Sequence, residues 1–268
     1  MVFRPTDYTP AINFLLKRPV PNRHLIGFLQ LAEPGELDVY VDNPERPKGV
    51  MLLMNHSSDG KVVRRDVDID TDSDESLVRL MGKLREPAYF FTFHREWMIP
   101  IIWGKFEKKS LMRSYYMRVT RGDFKNRATR QQAEHVREIR EADRHVIEGY
   151  PDDWPSLRRC FEFTAAKWRE GERALRMLGL FDSGRLVSWV QFWMGAGMCE
   201  VMNIHTHPGF RRKAYACTLL SLAAISIFKD HSEVYYTAPD DNTPSIQLAE
   251  SVGFKKHSCT YYFNGTRR

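Results

Sequence analysis

The same order of segments occurs twice along this sequence of 268 residues. Each half has a β-rich segment, a helical segment, a second β-rich segment, a helix that ends close to a glycine and a phenylalanine, and a last β-rich segment. The second half has Gly253-Phe254 at that helix end, and the first half has Gly104-Lys105-Phe106. Mixed strands and helices in this order predict an α/β (α+β mixed sheet) fold. We place two domains at 1–125 and 126–268, with the polar stretch 121–134 as the linker.

The second half alternates the two kinds of segment most clearly. Ser183-Gly184 separates two β-rich runs and predicts a hairpin. A further strand stops at Pro208-Gly209, and apolar residues over 215–229 recur at helical spacing. We expect the helix after the next strand to end at Gly253.

The first half gives strand predictions over 25–32, 36–42 and 48–56. The next segment alternates, with Val67 and Ile69 on one face and aspartates at 66, 68 and 70 on the other. In the acidic turn that follows, the spacing of Asp72 and Glu75 predicts a capping box.

Composition narrows the class of protein. The net charge is +6, but surplus lysine and arginine are ordinarily a solvated surface, so we do not expect a nucleic-acid partner. The four cysteines form no Cys-x-x-Cys pair, which predicts neither a metal site nor a disulfide framework and favours a cytoplasmic location. The longest weakly polar run, 214–228, is shorter than the roughly 20 residues that cross a bilayer, so no membrane partner is expected.

Three consecutive cations, Arg211, Arg212 and Lys213, stand where the predicted helix over 215–229 begins. A helix N-terminus presents unpaired amides and a positive dipole end, which suit a phosphate. Small residues at Ala214 and Ala216 would let a ligand approach that backbone closely. A basic surface loop in front of a core helix is the alternative that these features leave open.

The stretch from Ile204 to Leu220 resembles the acyl-CoA-binding motif of the GNAT superfamily of N-acyltransferases. The matching residues are Thr206, Pro208, Phe210, Arg211, Lys213, Tyr215, Ala216, Leu219 and Leu220. A second motif of that superfamily is matched by Asn242, Ser245, Leu248, Gly253 and Phe254. The resemblance covers about residues 130–268. The first half matches only in its order of elements, from which we infer two tandem GNAT-like units of which the first is degenerate.

The resemblance also implies roles for individual residues, with acetyl-CoA as the acyl donor and no metal. The backbone of Ile204, His205 and Thr206 would pair with the pantetheine arm. The pyrophosphate would be bound by the segment Arg211, Arg212, Lys213, Ala214, Tyr215 and Ala216. Asn242 and Ser245 would face the pantetheine close to the thioester.

Catalytic roles follow less directly from the motifs. Glu200 lies on the strand that enters the first motif and is our candidate base, with His205 and His207 as alternatives. The family often places a general-acid tyrosine where this sequence has Ala249. Ser245, Tyr235, Tyr236 or water could then protonate the leaving thiolate, or the thiolate could leave unassisted.

Ala214 stands where the motif has glycine. Its methyl group would crowd the diphosphate if the residue needs a positive φ, whereas alanine favours a helix if the position is already helical. We expect the helical conformation. The corresponding turn of the first half is acidic and would repel a pyrophosphate, so we expect that half to bind no CoA.

The predicted function is acyl transfer, most simply of acetyl, from acyl-CoA to a primary amine by direct attack on the thioester. The acceptor is a small-molecule or peptide amine, and a homodimer is compatible with the sequence. A catalytically silent acyl-CoA-binding or regulatory protein is the main alternative, suggested by Ala214 and Ala249. Aminoacyl transfer from a charged tRNA is a second alternative, which a strongly salt-dependent affinity for tRNA would favour.

Overall fold

The computed structural model describes residues 1–32, 35, 37–58, 61–86, 88–107, 109–150, 154–195 and 198–266. The chain forms two compact units: Met1–Tyr115 with Ser258–Arg268, and Tyr116–His257. These units divide the chain differently from the predicted domains, because residues 116–125 lie in the second unit and the last eleven residues lie in the first. The boundary of the duplicated halves at residue 125 remains a prediction.

The first half of the chain contains four helices and five strands within the described residues. In chain order they are α1 (Thr9–Leu15), α2 (Pro19–Leu31), β1 (Asp38–Val41), β2 (Gly49–Ser58), β3 (Lys61–Thr71), α3 (Asp74–Met81), β4 (Ala88–Phe93), α4 (Met98–Trp103) and β5 (Lys109–Thr120).

The second half continues with helices and strands in the same alternation. They are α5 (Arg130–Ala133), β6 (Val136–Glu138), α6 (Arg144–Glu148), α7 (Pro155–Arg169), β7 (Leu175–Asp182), β8 (Arg185–Gly195), β9 (Met198–Thr206), α8 (Tyr215–Ile227), β10 (Glu233–Pro239), α9 (Thr243–Ser251) and β11 (Lys255–Thr266). The order strand, helix, strand, helix, strand is therefore confirmed in both halves: β3-α3-β4-α4-β5 and β9-α8-β10-α9-β11.

The sheet of the first unit has the strand order β1-β2-β3-β4-β11. Only the β3–β4 pair among these is parallel. Val67 and Ile69 are buried on the face that packs against α3 and α4, as their alternation predicts. Helices α1 and α2 cover β1 and β2 on the opposite face.

Two predictions for the first half are wrong. Residues 25–32 were expected as a strand, but 19–31 form α2, which buries Leu25, Ile26 and Leu29 at helical spacing. Pro19 lies in the first turn of this helix, where the missing N–H costs nothing and the fixed φ is favourable, so it starts the helix.

The capping box predicted from Asp72 is also wrong. Ser73 is the N-cap of α3, and its Oγ accepts a hydrogen bond from the amide of Ser76 at 3.2 Å. The side chain of Asp72 instead pairs with Arg18 and Arg95. The helix cap is therefore one residue later than predicted. Asp72 forms ion pairs with Arg18 and Arg95, which come near it only in the folded chain.

The second unit has the strand order β5-β10-β9-β8-β7-β6. The predicted hairpin joins β7 to β8, with positive φ at both Ser183 and Gly184, as a two-residue turn of this kind requires. Helix α8 packs on β7, β8 and β9, and α7 packs on β7 with a core that includes Trp189. Within the described residues, no helix combines the length and the apolar character that crossing a membrane demands.

Candidate active site

Strands β9 and β10 run parallel but separate after a short contact. The paired residues are Glu200 with Tyr235 and Val201 with Tyr236. Beyond them, the segment Ile204–Thr206 pairs with β8 on its other side, and the described pairing with β10 has ended. The backbone edge of β9 therefore faces an opening between the two strands, which we call the β9–β10 opening.

The 207–214 loop connects β9 to α8, and Ala214 is the residue that ends it. Ala214 is the N-cap of α8 and has φ 60° and ψ 13°, in the left-handed region. The expectation of a helical conformation is wrong, because helix propensity does not apply to a cap that lies before the first helical residue. An L-residue in this conformation costs about 1 kcal/mol relative to glycine.

The left-handed conformation brings successive amides together. A left-handed residue followed by a right-handed helical one, as at Ala214 and Tyr215, forms a nest whose N–H groups converge on an anion. The amides of residues 214–217 have no hydrogen-bond partner within the part of the chain that the structure describes. The side chains of Arg211, Arg212 and Lys213 are exposed beside them. The loop thus combines converging donors with three positive charges.

Gln132 forms hydrogen bonds to this loop and to α8, and the sequence did not indicate this role. Its Nε2 donates to the carbonyl of Lys213 at 2.8 Å, and its Oε1 accepts from the hydroxyl of Thr218 in α8. The predicted linker therefore contains a short helix, α5, that contacts the loop. Polar, glutamine-rich composition gave no signal for this contact, because the partner is a backbone carbonyl 81 residues away.

The first turn of α9 carries the second motif. Asn242 is the N-cap, and its Oδ1 accepts from the amide of Ser245 at 3.2 Å. The hydroxyl of Ser245 lies 2.6 Å from the hydroxyl of Tyr236. Burial raises the pKa of Tyr236, so its phenol stays protonated at neutral pH. Ala249, one turn later, is fully buried and offers no hydroxyl.

Glu200 is buried at the start of the β9–β10 opening. The hydroxyl of Thr237 donates to its Oε1 at 2.7 Å. The strand register places Glu200 on the opposite face of the sheet from Tyr236, since its partner Tyr235 is the neighbouring residue.

The two histidines of the motif differ in their surroundings. The ring of His205 stacks on Trp189 with centroids 5.0 Å apart. Desolvation lowers the pKa of His205, and the charge of Arg211 lowers it further. Nδ1 of His207 accepts from the amide of Gly209 at 3.3 Å, and its ring contacts Trp154 and Phe210, so His207 supports the loop.

The predicted site residues thus meet at the carboxyl ends of β9 and β10. The open edge of β9 contributes Ile204, His205 and Thr206, the loop contributes residues 211–216, and α9 contributes Asn242 and Ser245. A depression of about 730 Å³ elsewhere in the same unit is lined by Trp168, Arg173 and Met194 among others, and it contains none of these residues.

The equivalent place in the first unit is built differently. Strands β3 and β4 stay paired over four positions, from Arg65 opposite Tyr89 to Asp68 opposite Thr92. Just beyond this pairing, buried Asp70 binds the side chains of Arg18, Asn22 and Arg95. These ion pairs tie the ends of β3 and β4 together. No group of three or more metal-ligating side chains occurs among the residues that are described.

Comparison with known proteins gives a family for the second half of the chain. Residues 134–254 match the model of the Acetyltransferase (GNAT) family. This range contains the β9–β10 opening, the 207–214 loop and α9. No curated protein sequence matches the chain.

Solved structures extend the similarity of fold to the whole chain. A GCN5-related N-acetyltransferase from Sphaerobacter thermophilus has a TM-score of 0.66 at 12% identity, covering 100% of this chain and 96% of that one. A Drosophila protein has a TM-score of 0.64 at 13% identity, covering 94% and 89%. A tandem GNAT protein from the clavulanic acid biosynthesis pathway has a TM-score of 0.61 at 12% identity, covering 99% and 98%.

The fold is therefore that of GNAT proteins, a tandem one among them, and residues 134–254 form the segment that matches the GNAT acetyltransferase family.

Proposed function

We propose that this protein transfers an acyl group, most simply acetyl, from a coenzyme A thioester to a primary amine. The observation that carries the proposal is the β9–β10 opening, where the unpaired edge of β9 runs from buried Glu200 toward a loop with exposed cations and unpaired amides. The loop suits a diphosphate, and the carboxylate suits an amine that must lose a proton. Direct transfer needs the two reactants held together and a base for the amine.

The residues of the loop and the strands fit coenzyme A. The amides of Ala214, Tyr215 and Ala216, with the charges of Arg211, Arg212 and Lys213, would bind the diphosphate. The backbone groups of Ile204 and Thr206, which the register turns away from β8, would pair with the amide groups of the pantetheine arm as an added strand does, with Arg211 Nε leaving the carbonyl of Thr206. Because Asn242 uses its Oδ1 for the helix cap, only its Nδ2 would face that arm.

Glu200 is the proposed base. When bound, coenzyme A supplies the activated acyl group, and the amine must be neutral to attack it. The carboxylate of Glu200 would accept the proton of the amine, directly or through one water, while Thr237 holds Oε1 in place. His205 lies on the same strand, and its lowered pKa keeps it neutral, so it is the second group able to accept a proton.

The pair Ser245 and Tyr236 is the proposed acid. Their hydroxyls lie 2.6 Å apart, and Ser245 is accessible whereas Tyr236 is buried. Ser245 would donate its proton to the leaving sulfur as the C–S bond breaks and take the proton of Tyr236 in its place, and solvent would return a proton to Tyr236 before the next turnover. This pair would supply the hydroxyl that the buried methyl group of Ala249 cannot supply.

The test combines binding with turnover. Acetyl-CoA should bind, and a panel of primary amines should release free CoA at a rate that depends on the amine. Glu200→Gln should lower kcat by about 100-fold or more at neutral pH, a typical contribution of general base catalysis, while the Kd for acetyl-CoA stays the same. Glu250→Gln, an exposed carboxylate on α9, is the matched control and should have wild-type activity.

Two results would overturn the proposal. Absence of acetyl-CoA binding at millimolar concentration would exclude the family reaction for this chain. Saturable binding with no turnover on any amine would identify the protein as a silent acyl-CoA binder instead. An unchanged kcat and pH profile in Glu200→Gln would move the role of base to His205 or to water.

A further inference from the structure

Strand β9 contains one extra residue opposite β8, and this changes which side chains share a face. Gln191 pairs with Asn203 and Phe192 pairs with Val201, so Met202 is the residue without a partner on β8. Residues three apart on a regular strand lie on opposite faces. Because of the bulge at Met202, Glu200 and Asn203 lie on the same face.

Asn203 ends a chain of buried hydrogen bonds that starts at a backbone carbonyl. The hydroxyl of Thr164 donates to the carbonyl of Cys160 at 2.7 Å. Nε2 of Gln191 donates to the same carbonyl at 3.2 Å and to Thr164 Oγ1 at 2.7 Å. Nδ2 of Asn203 then donates to Oε1 of Gln191 at 2.8 Å. Thr164 and Gln191 are almost completely buried.

The direction of this chain follows from chemistry. A backbone carbonyl can only accept, so the amide nitrogen of Gln191 must face Cys160. Its Oε1 then faces Asn203 and requires a donor, which fixes Nδ2 of Asn203 on that side. The side-chain oxygen of Asn203, Oδ1, therefore points away from Gln191. Within the described residues, Oδ1 of Asn203 has no hydrogen-bond partner, and its side chain is half-exposed.

We propose that Oδ1 of Asn203, on the same face of β9 as Glu200, accepts an N–H of the acceptor nitrogen and makes the site select a primary amine over a hydroxyl. This inference rests on the proposed function. A carboxylate and an amide oxygen on one face of β9 provide two acceptors. A primary amine has at least two N–H donors to give them, whereas a hydroxyl has one. Thr164 and Gln191 are positioning residues that present the oxygen end of Asn203.

The first experiment measures both Michaelis constants. Phenethylamine, spermidine, glycinamide and Nα-acetyl-lysine methyl ester are tested with acetyl-CoA, and the best amine is compared with its N-methyl and hydroxyl analogues. Asn203→Ala should raise the KM of the amine about tenfold or more, the usual value of a hydrogen bond to a charged or polar partner, and leave the KM of acetyl-CoA unchanged. In Asn203→Ala, the ratio of kcat/KM for the primary amine to kcat/KM for its hydroxyl analogue should fall by the same factor.

The second experiment tests the positioning residues by conservative rescue. Thr164→Val removes the hydroxyl that orients Gln191 and should raise the KM of the amine, while Thr164→Ser keeps the hydroxyl and should restore it. Unchanged acetyl-CoA affinity in each variant shows that the fold is intact.

The outcomes separate this inference from the proposed function. A wild-type protein that acetylates no amine contradicts the proposed function. A wild-type protein that acetylates amines, with an amine KM in Asn203→Ala within twofold of the wild type, contradicts the role of Asn203 alone. Equal rises in the KM of the amine and of acetyl-CoA would also overturn it, because they indicate a general disturbance of the site.

Discussion

The convergence of amides at the start of α8 depends on one residue, Ala214. Its φ of 60° directs the following N–H groups toward one point, and alanine adopts this conformation at a cost. The residues of the loop were predictable from the motif, but the conformation of Ala214 was not. Motif matching fixes which residue occupies a position, whereas the backbone angle depends on how the loop enters the helix.

Ala214→Gly should raise the free energy of unfolding by about 1 kcal/mol and should bind acetyl-CoA at least as tightly as the wild type. Glycine removes the left-handed penalty and the methyl group beside the nest. Chemical denaturation and calorimetric titration would measure the two effects. Ala223→Gly, in the buried middle of α8, is the matched control and should destabilise by a similar amount. Weaker acetyl-CoA binding in Ala214→Gly would contradict the proposal that the amides at the start of α8 bind the diphosphate.

His205 should titrate below its ordinary pKa of 6.5, because desolvation and the charge of Arg211 both disfavour the imidazolium. The folded protein then binds this proton less tightly than the unfolded chain does. His205 therefore costs stability as the pH falls below about 6.5 and costs nothing well above it. NMR titration of the ring should give a higher pKa in Arg211→Gln and an unchanged one in Arg212→Gln. Equal shifts in both variants would show that the effect is not specific to Arg211.

At the level of elements, the end of α9 sets the position of the second motif. Gly253 has φ 103°, its amide donates to the carbonyl of Glu250, and the amide of Phe254 donates to the carbonyl of Ala249. These two bonds are the Schellman arrangement. The glycine was predictable as a helix end, but its closeness to Asp123 was not, because Asp123 lies 130 positions earlier in the sequence.

Gly253→Ala should destabilise the protein by more than about 2 kcal/mol, because a Cβ there would lie 2.2 Å from the carbonyl oxygen of Asp123. Gly171→Ala is the matched control. Gly171 also has a positive φ, but a Cβ would meet nothing within 4 Å, so only the backbone penalty of about 1 kcal/mol applies. Thermal and urea unfolding would give the loss of stability in each variant. The difference between the two losses is the cost of the steric clash with Asp123, apart from the backbone penalty that both share. Equal losses would show that Asp123 moves away without cost.

The donor-to-acceptor direction of the Thr164–Gln191–Asn203 hydrogen bonds could not be predicted from the sequence either, because it depends on contacts between distant segments. The pattern of β8 and β9 predicted two strands, and both formed. The bulge at Met202 has no sequence signal, yet it decides which side chains share a face. The two strands were therefore predictable from local composition. The face of β9 on which Asn203 lies was not, because it depends on the register between β8 and β9.

At the scale of the whole molecule, the two repeated halves differ in charge where a ligand would enter. The second half presents cations and open amides, whereas the first presents Asp70 and Asp72 paired with Arg18 and Arg95. The repeat was predictable from the order of segments. The ion pairs were not, because Arg18 is the N-cap of α2, a helix that the sequence pattern did not predict.

Calorimetric titration should therefore give one acetyl-CoA per chain. Asp70→Asn should lower the stability by about 3 kcal/mol, as expected when one member of a buried ion-pair network is removed, and should leave the stoichiometry at one. Asp74→Asn, an exposed change in the first turn of α3, is the control for stability. Two bound acetyl-CoA molecules per chain would show that the first unit is a working site.

The last strand of the chain has a consequence for biosynthesis. β11 pairs with β4 through Tyr261 to Thr266, so the first unit needs residues that the ribosome makes after the entire second unit. Until they emerge, the edge of β4, with Phe91 and Phe93, has no strand to cover it. An uncovered apolar edge invites pairing with other nascent chains. The unit whose synthesis begins first is thus the unit whose chain is completed last, and its β4 edge has no β11 to pair with during that interval.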